Sequence, residues 1–426
     1  MSNTTSSIPT NGQNAWKEKV IRELKKQQFD EEYEDKIENI VIRIEDGLNN
    51  VASSTITTTN SDTNEWQISA SIDVTDEKET NKKLLEVLIN GADTLFICPT
   101  KTDHDWDILF NEIEFEYIVT HVQIKHMECL NSLQRWFTNQ TNFFVVIDFL
   151  TINETSETLA IISKSNIPIK IKIDGFSLQQ CGANSQQEMA FICDQLHETI
   201  LLLPEQNKLQ FQLNMGVGNN FMLEIAKFRT LKGLVNTVLT AYNYPLNSFE
   251  LIAEIGWTNK SLKDLHTNQL RQTTEAISAV IGGVDILQIH PYDQRSIHGS
   301  TSFSQRMALN ISSILKEESY LKLVKDAYRG SYYIENLSYK MGDGAWRLFK
   351  QLTSMPELNS KEKRMFIVAM VGEIVELRKL YFAQKQLKLI GLNVFENSIP
   401  TNNDWQKENL FLGMSFFRYE KISTNE

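Results

Sequence analysis

The chain has 426 residues, 41% hydrophobic and 23% charged, with Gly 18 and Pro 8, which is enough apolar material for a sizeable core. A formal charge of -12 argues against broad nucleic-acid binding, which needs a basic footprint. Four scattered cysteines, Cys98, Cys129, Cys181 and Cys193, with no C-x-x-C pair, argue against a disulfide framework or a zinc site and for free thiols in a reducing compartment.

The first fourteen residues are Ser/Thr/Asn-rich and read as a disordered tail with neither a secretory signal nor a membrane span. No apolar run, including residues 143–150, is long enough to cross a bilayer, so a soluble, cytoplasmic protein is expected. Residues 15–28 read as a helix with Trp16, Val20 and Leu24 on one side. An acidic stretch with the alternating run IVIRI follows, and residues 51–64 read as a linker.

A strand-then-helix rhythm begins at Trp66. Strands are predicted over 66–74, 94–98, 117–122, 143–149, 169–174, 209–215, 249–255 and 285–290. Helices are predicted over 76–90, 127–138, 154–165, 184–203, 219–239 and 262–281, the first with Asp76 as N-cap and Gly91 as its stop. Eight strands, each followed by a helix or a helix-sized segment, favour closure into a (β/α)8 TIM barrel over an open sheet. Residues 303–323, 336–352 and 361–387 then read as three long helices, and the apolar tail LFLGMSFFRYE follows. The expected organisation is an N-terminal extension over 1–64 that contacts a partner, a barrel over 65–300, and a C-terminal helical segment over 301–426.

In the strand at Ile169, Ile169, Ile171 and Ile173 alternate with Lys170, Lys172 and Asp174, and the run stops at Gly175. The end of such a strand is where a βα-barrel does its chemistry. The segment from Ile173, IDGFSLQQCGA, resembles S-G-Y-H-x-x-E-A-G-A of the methylmalonyl-CoA mutase family. Four more blocks resemble that family in its order: MGVGNNFMLEIAKFR from Met215, LRQTTEAISAVIGGVDIL from Leu270, the long run from Arg306 through KEES and GSYYIENL, and KLIGLNVFEN from Lys388. The resemblance implies a (β/α)8 barrel whose axis an acyl-CoA threads, with adenosylcobalamin held between the barrel and a cobalamin domain.

It also implies which groups the radical rearrangement needs, since the cofactor supplies the radical and the protein supplies ligation, sealing and polarisation. The family's histidine, which hydrogen-bonds the thioester carbonyl, falls at Ser177. An arginine that helps hold the carboxylate falls at Gln210. The histidine after the Gly-Gly pair falls at Gln288. The family's early Y-P-T-M-Y-R-G motif has no counterpart before Trp66. The cobalt-ligating D-x-H-x-x-G is met only by Asp264-Leu265-His266 with Gln269 in the glycine's place, and no α/β cobalamin-binding domain is expected. Serine cannot match imidazole's reach or charged form, and glutamine cannot make a bidentate ionic pair.

The expectation is therefore a small, catalytically inactive subunit with no catalytic, cofactor-binding or metal residues of its own. A larger catalytic subunit would form the heterodimer and carry adenosylcobalamin. Two alternatives remain: a divergent active acyl-CoA mutase with its cobalamin domain on a separate chain, and a non-enzymatic scaffold. Trp16 to Leu24, the helices after Lys361, and Phe411, Leu412, Met414, Phe416 and Phe417 are candidate partner contacts; the apolar tail equally suits folding onto its own helical layer.

The remaining polar clusters have structural readings. Asp103, His104, Asp105 and Asp107 read as a solvated acidic loop, and His121 and His126 lack metal-binding spacing. Gly216 and Gly218 let a strand turn closely into a helix, and Glu224, Lys227 and Arg229 form scaffold ion pairs.

Overall fold

The computed structural model describes residues 15, 18–19, 21–23, 32–43, 63–137, 142–148, 150, 168–203, 209–246, 248–358, 360–396 and 410–424. The side chains of Trp16, Val20 and Leu24, the linker at 51–62 and the helix expected at 154–165 lie outside them.

Eight parallel strands close into a barrel: β3 (Gln67–Val74), β4 (Thr94–Pro99), β5 (Val119–Ile124), β6 (Phe143–Asp148), β7 (Ile169–Asp174), β8 (Gln210–Gly216), β9 (Phe249–Ile255) and β10 (Ile286–Ile289). Closure is the pairing of β10 with β3, Ile286 against Gln67 and Gln288 against Ser69. A short hairpin, β1 (Glu32–Asp35) with β2 (Ile40–Arg43), precedes the barrel.

The barrel reverses the usual distribution of polarity. In an ordinary barrel of this type, branched apolar side chains fill the interior. Here the apolar set, such as Ile169, Ile171 and Ile173 or Phe211, Leu213 and Met215, joins the main hydrophobic core with the helices outside. The alternate set, Lys170, Lys172 and Asp174 or Gln212 and Asn214, therefore faces the lumen, because successive strand side chains point to opposite faces. Contacts between strands that are not neighbours support this: Gln212 of β8 reaches His121 of β5, and Lys170 of β7 reaches Glu250 of β9. Such pairs can meet only across the inside of a closed barrel.

The outer layer is α1 (Glu77–Ile89), α2 (Trp106–Leu109), α3 (Cys129–Phe137), α4 (Gly175–Gln180), α5 (Ser185–Leu202), α6 (Phe221–Ala241) and α7 (Leu265–Ile281). Asp76 caps α1 as the sequence predicts, accepting from Glu79 N, and Gly91 follows it at φ +98°, where a side chain would be strained. Asp103, Asp105 and Asp107 are exposed, as expected of a solvated acidic loop; within it Asp105 caps α2, and His104 turns inward, its ring 2.7 Å from Glu77.

Three further long elements follow the barrel: α8 (Ser302–Ser313), α9 (Tyr332–Thr353) and α10 (Lys361–Ala383). The helix expected over 303–323 does not run through. It loosens into a π turn at Ile314–Glu318 and ends at Tyr320, whose φ of 55° is left-handed. A small hairpin, β11 (Leu410–Phe411) with β12 (Met414–Ser415), and α11 (Tyr419–Thr424) close the description. Phe411 and Phe417 are buried on their own chain, so the apolar tail folds inward. The hairpin turn before β2 does likewise: Asn184 Nδ2 donates to Ile37 O at 2.7 Å, and Ser185 N donates to Glu38 Oε2 at 3.0 Å. The Glu38 carboxylate satisfies an open N–H at the start of α5, and both contacts tie the described part of the N-terminal extension to the barrel.

Candidate functional site in the barrel lumen

The lumen has two levels. The lower level is a closed floor. The rings of Phe96 and His121 stack at 4.8 Å, those of His121 and Phe144 at 5.6 Å, and Lys170 Nζ lies 3.7 Å over Phe144. Gln212 Nε2 lies 3.0 Å from His121 Nδ1, and Phe96 packs with Ile252 and Ile286 in a small separate apolar cluster. Phe96, His121, Val146, Lys170, Gln212, Ile252 and Ile286 are all buried. Burial, and then the charge of Lys170, hold the His121 imidazole well below its ordinary pKa, so it is neutral. Burial likewise pulls Lys170 down, against the opposing pull of Glu250, its ion-pair partner.

The upper level, at the C-terminal strand ends, is charged and partly accessible. Lys172 Nζ lies 3.3 Å from Asp174 Oδ2. Burial disfavours the charge of Lys172, but Asp174, Asp148 and Glu254 outweigh it and raise its pKa. Burial pushes Asp148 up to about 6, with Lys172 opposing. Burial would raise Glu254 too, yet His290, whose Nε2 lies 2.8 Å from Glu254 Oε1, holds it below the usual carboxylate range. His290 stacks at 4.5 Å on Trp257, and the Arg295 guanidinium covers the same indole at 4.4 Å.

Ser177 stands in the first turn of α4, just above β7. Its N–H donates to Asp174 Oδ1 at 2.9 Å, and its hydroxyl donates to Asp174 Oδ2 at 2.8 Å. The hydroxyl is thus used within a helix cap, bonded to the carboxylate that begins its own helix. Gln288 is buried on β10, and its Nε2 lies 3.5 Å from His290 Nε2. A histidine does stand at the mouth, two residues beyond Gln288 and so one pleat higher on the same face. Gln210 is elsewhere. It is exposed at the first residue of β8, paired with Lys170, while Asn214 pairs with Asp174 at the mouth. Four residues of strand separate the two, about 13 Å. The structure places Ser177, on Asp174, and Gln288, beside His290, at the C-terminal strand ends and leaves Gln210 at the opposite rim, where it cannot share a substrate group with them.

Glycines allow the close approach that shapes this mouth. A Cβ on Gly216 would lie 2.5 Å from Gln179 of α4. Behind it, Lys227 pairs with Glu224 at 2.7 Å and Glu188 at 3.1 Å, and Glu188 Oε1 accepts from Gly216 N at 2.7 Å. Burial raises Glu188 to about 7, against Lys227. Residues 417–420 then strap the mouth: Phe417 N donates to Gln180 O at 2.7 Å, Tyr419 N to Thr258 O at 3.0 Å, and Ser261 Oγ to Glu420 Oε1 at 2.7 Å.

Sequence reasoning missed Asp148, Glu254, His290, Trp257 and Arg295 as mouth residues. For Glu254 the signal was present in the period-2 charges of FELIAEI, as it was for Lys172 in IKIKID, since charges repeated on one face of a buried parallel strand need an interior to face; Asp148, His290, Trp257 and Arg295 belong to no such run. The cobalt motif finds no fit: Asp264 is the N-cap of α7, accepting from Thr267 N, and the His266 ring packs 5.9 Å from Tyr292. Among the described residues, no group of three or more His, Cys, Asp or Glu could hold a metal ion, and no helix is long and apolar enough to cross a membrane.

Fold and site thus define a parallel (β/α)8 barrel with a polar, floored lumen. The methylmalonyl-CoA mutase family matches residues 151–410, and the chain belongs to that family. It is 30% identical over 245 residues to the methylmalonyl-CoA mutase small subunit of Porphyromonas gingivalis, covering 55% of this chain and 39% of that protein. It is 25% identical over 238 residues to a probable methylmalonyl-CoA mutase small subunit of Mycobacterium tuberculosis, covering 53% and 38%. With the mitochondrial methylmalonyl-CoA mutase of Bos taurus it shares 32% identity over 196 residues, covering 43% and 26%. The chain spans less than two fifths of the length of these relatives. Yersinia pestis dihydropteroate synthase superimposes with a TM-score of 0.33 at 13% identity, covering 58% of this chain and 93% of that one, too slight a likeness to bear on function.

Proposed function

We propose that this chain is the small, non-catalytic subunit of a heterodimeric, adenosylcobalamin-dependent methylmalonyl-CoA mutase. A larger catalytic subunit would carry the cofactor and interconvert methylmalonyl-CoA and succinyl-CoA. The observation that carries the reading is the floor. An acyl-CoA that threads the barrel axis needs an open lumen, and here Phe96, His121, Lys170 and Gln212 meet across it. The hydroxyl of Ser177, bonded to Asp174, adds support, because no imidazole is offered to a thioester there. The role left for the barrel is assembly, in which a duplicated subunit supplies one half of a pseudo-two-fold contact.

Co-purification from the native source with a larger cobalamin-binding chain at one-to-one stoichiometry is the expected result. Turnover of methylmalonyl-CoA by this chain alone with added adenosylcobalamin would overturn it. Ser177→His alone is expected to give no turnover, because the floor stays closed. The charged mouth, with Lys172 and His290, favours a second reading: a divergent acyl-CoA mutase working with a separate cobalamin domain. Recovery of only a small cobalamin-binding chain in the same experiment would select it.

A further inference from the structure

One corner of the mouth carries more donors than acceptors. Arg295, in the loop after β10, lies 4.4 Å over the Trp257 indole, and among the described residues it makes no ion pair and no hydrogen bond. It is half-buried, so its N–H groups stay within reach of solvent. The indole beneath it is fixed: Trp257 N donates to Gln180 Oε1 at 2.9 Å, and the His290 ring stacks on it at 4.5 Å. Trp257 is only 6% exposed, yet its Nε1–H has no hydrogen-bond partner among the described residues. A buried donor left in that state is costly.

A second guanidinium adds to the excess. Arg418, in the strap, is buried, and its charge reaches Arg295. Burial, and after it the charge of Arg418, lowers the pKa of Arg295, with Glu254 and Asp73 opposing. Those two carboxylates do not close the gap: Glu254 is committed to His290 at 2.8 Å and to Asn214 at 3.2 Å, and Asp73 is exposed. Glu420, whose charge supports Arg418, is itself held by Ser261 Oγ at 2.7 Å, Leu262 N at 3.1 Å and Lys263 N at 3.3 Å. Two like charges from distant stretches of chain thus lie together with an N–H that lacks an acceptor, an arrangement that an anion would balance. Geometry selects the kind of anion. Arg295 covers the face of the indole, whereas Nε1–H lies in its plane, so the donors act in different directions. A carboxylate presents two oxygens in one plane, and a phosphate presents oxygens on all sides.

We infer that Arg295, Arg418 and Trp257 Nε1 form a binding site for a phosphate group, held between the loop after β10 and the strap. None of the positions that the family motifs mark, Ser177, Gln210, Gln288 and Asp264 to Gln269, contributes to it. The site is independent of the proposed function and stands whether or not the chain has a larger partner.

The indole N–H resonance of Trp257 in the isotope-labelled full chain, assigned with Trp257→Phe, tests it. Inorganic phosphate, titrated against chloride at constant ionic strength, is expected to move this resonance saturably, with a Kd on the order of 1 mM. Methyl phosphate separates two sources of the group: tighter binding than inorganic phosphate assigns a phosphate ester, and weaker binding assigns free phosphate. Arg295→Gln and Arg418→Gln are each expected to weaken binding about tenfold or more. Lys125→Gln, which removes an exposed charge just past β5, should leave it unchanged. Circular dichroism checks that each variant folds, and Arg295→Gln, which breaks no ion pair, keeps the test decisive if Arg418→Gln loosens the strap. No shift with phosphate, an equal shift with chloride, unchanged affinity in both arginine variants, or tighter binding of acetate than of phosphate would overturn the inference.

Discussion

The two levels of the lumen share strands, register and depth of sequence, yet they are built on different physics. The floor is dry: a neutral imidazole, an amide and stacked rings surround one ammonium whose carboxylate reaches the outside. The mouth keeps several charges of both signs within reach of one another and of solvent. A charge at the floor depends on a single partner, whereas a charge at the mouth has several. The comparison teaches where this barrel is rigid by necessity and where it tolerates change.

The largest expected effect comes from breaking the floor. Glu250→Ala leaves Lys170, 1% exposed at its side chain, without its partner, and should destabilise the fold by about 3–5 kcal/mol in urea denaturation. A loss under about 1 kcal/mol would mean that the floor is wetter than the contacts indicate.

Just behind the mouth, Glu188 supplies a pH test. Its folded pKa is raised, from 4.5 to about 7, so the native state binds its proton more tightly than the unfolded state does. Stability from this group is therefore greatest below pH 4.5 and falls as pH rises towards 7, by at most about 3 kcal/mol. Melting temperatures of Glu188→Gln measured against wild type should shift in favour of the variant across that window. A flat difference would show that Lys227 compensates in full.

At the mouth itself, Ser177→Ala removes one capping hydroxyl and should cost about 1 kcal/mol. Gln210→Ala, at the exposed rim, should stay within about 0.5 kcal/mol in the same assay. If Gln210 mattered more than Ser177, the placement of the site at the C-terminal strand ends would need revision.

Much of the fold was legible in the sequence because strands such as 169–174 and 249–255 alternate, others such as 143–148 are short apolar runs, and several helices begin at a capping side chain. Asp76 and Gly91 bracket α1 as expected, and 249–255 is a strand to the residue. The π turn after α8 was not legible, because residues 314–318 continue the helical pattern and only the left-handed Tyr320 ends it. The site was half legible. Ser177 and Gln288 came from motif position, and both stand at the mouth. Gln210 also came from motif position, but its depth along the strand depends on where β8 begins, which no motif encodes. The floor was hidden because Phe96 and His121 are ordinary strand residues until closure brings β8 opposite β5.

The strap over the mouth has a consequence for how the chain is made. The last strand of the barrel ends at Ile289, and Phe417 and Tyr419 follow more than a hundred residues later. At a synthesis rate of roughly 5–20 residues per second, the finished barrel would wait several seconds on the ribosome with its charged mouth uncovered. The mouth is strapped only once that segment has been made and docks, so any chaperone or partner that needs Gln180 O and Thr258 O uncovered must bind before residues 417–420 settle there.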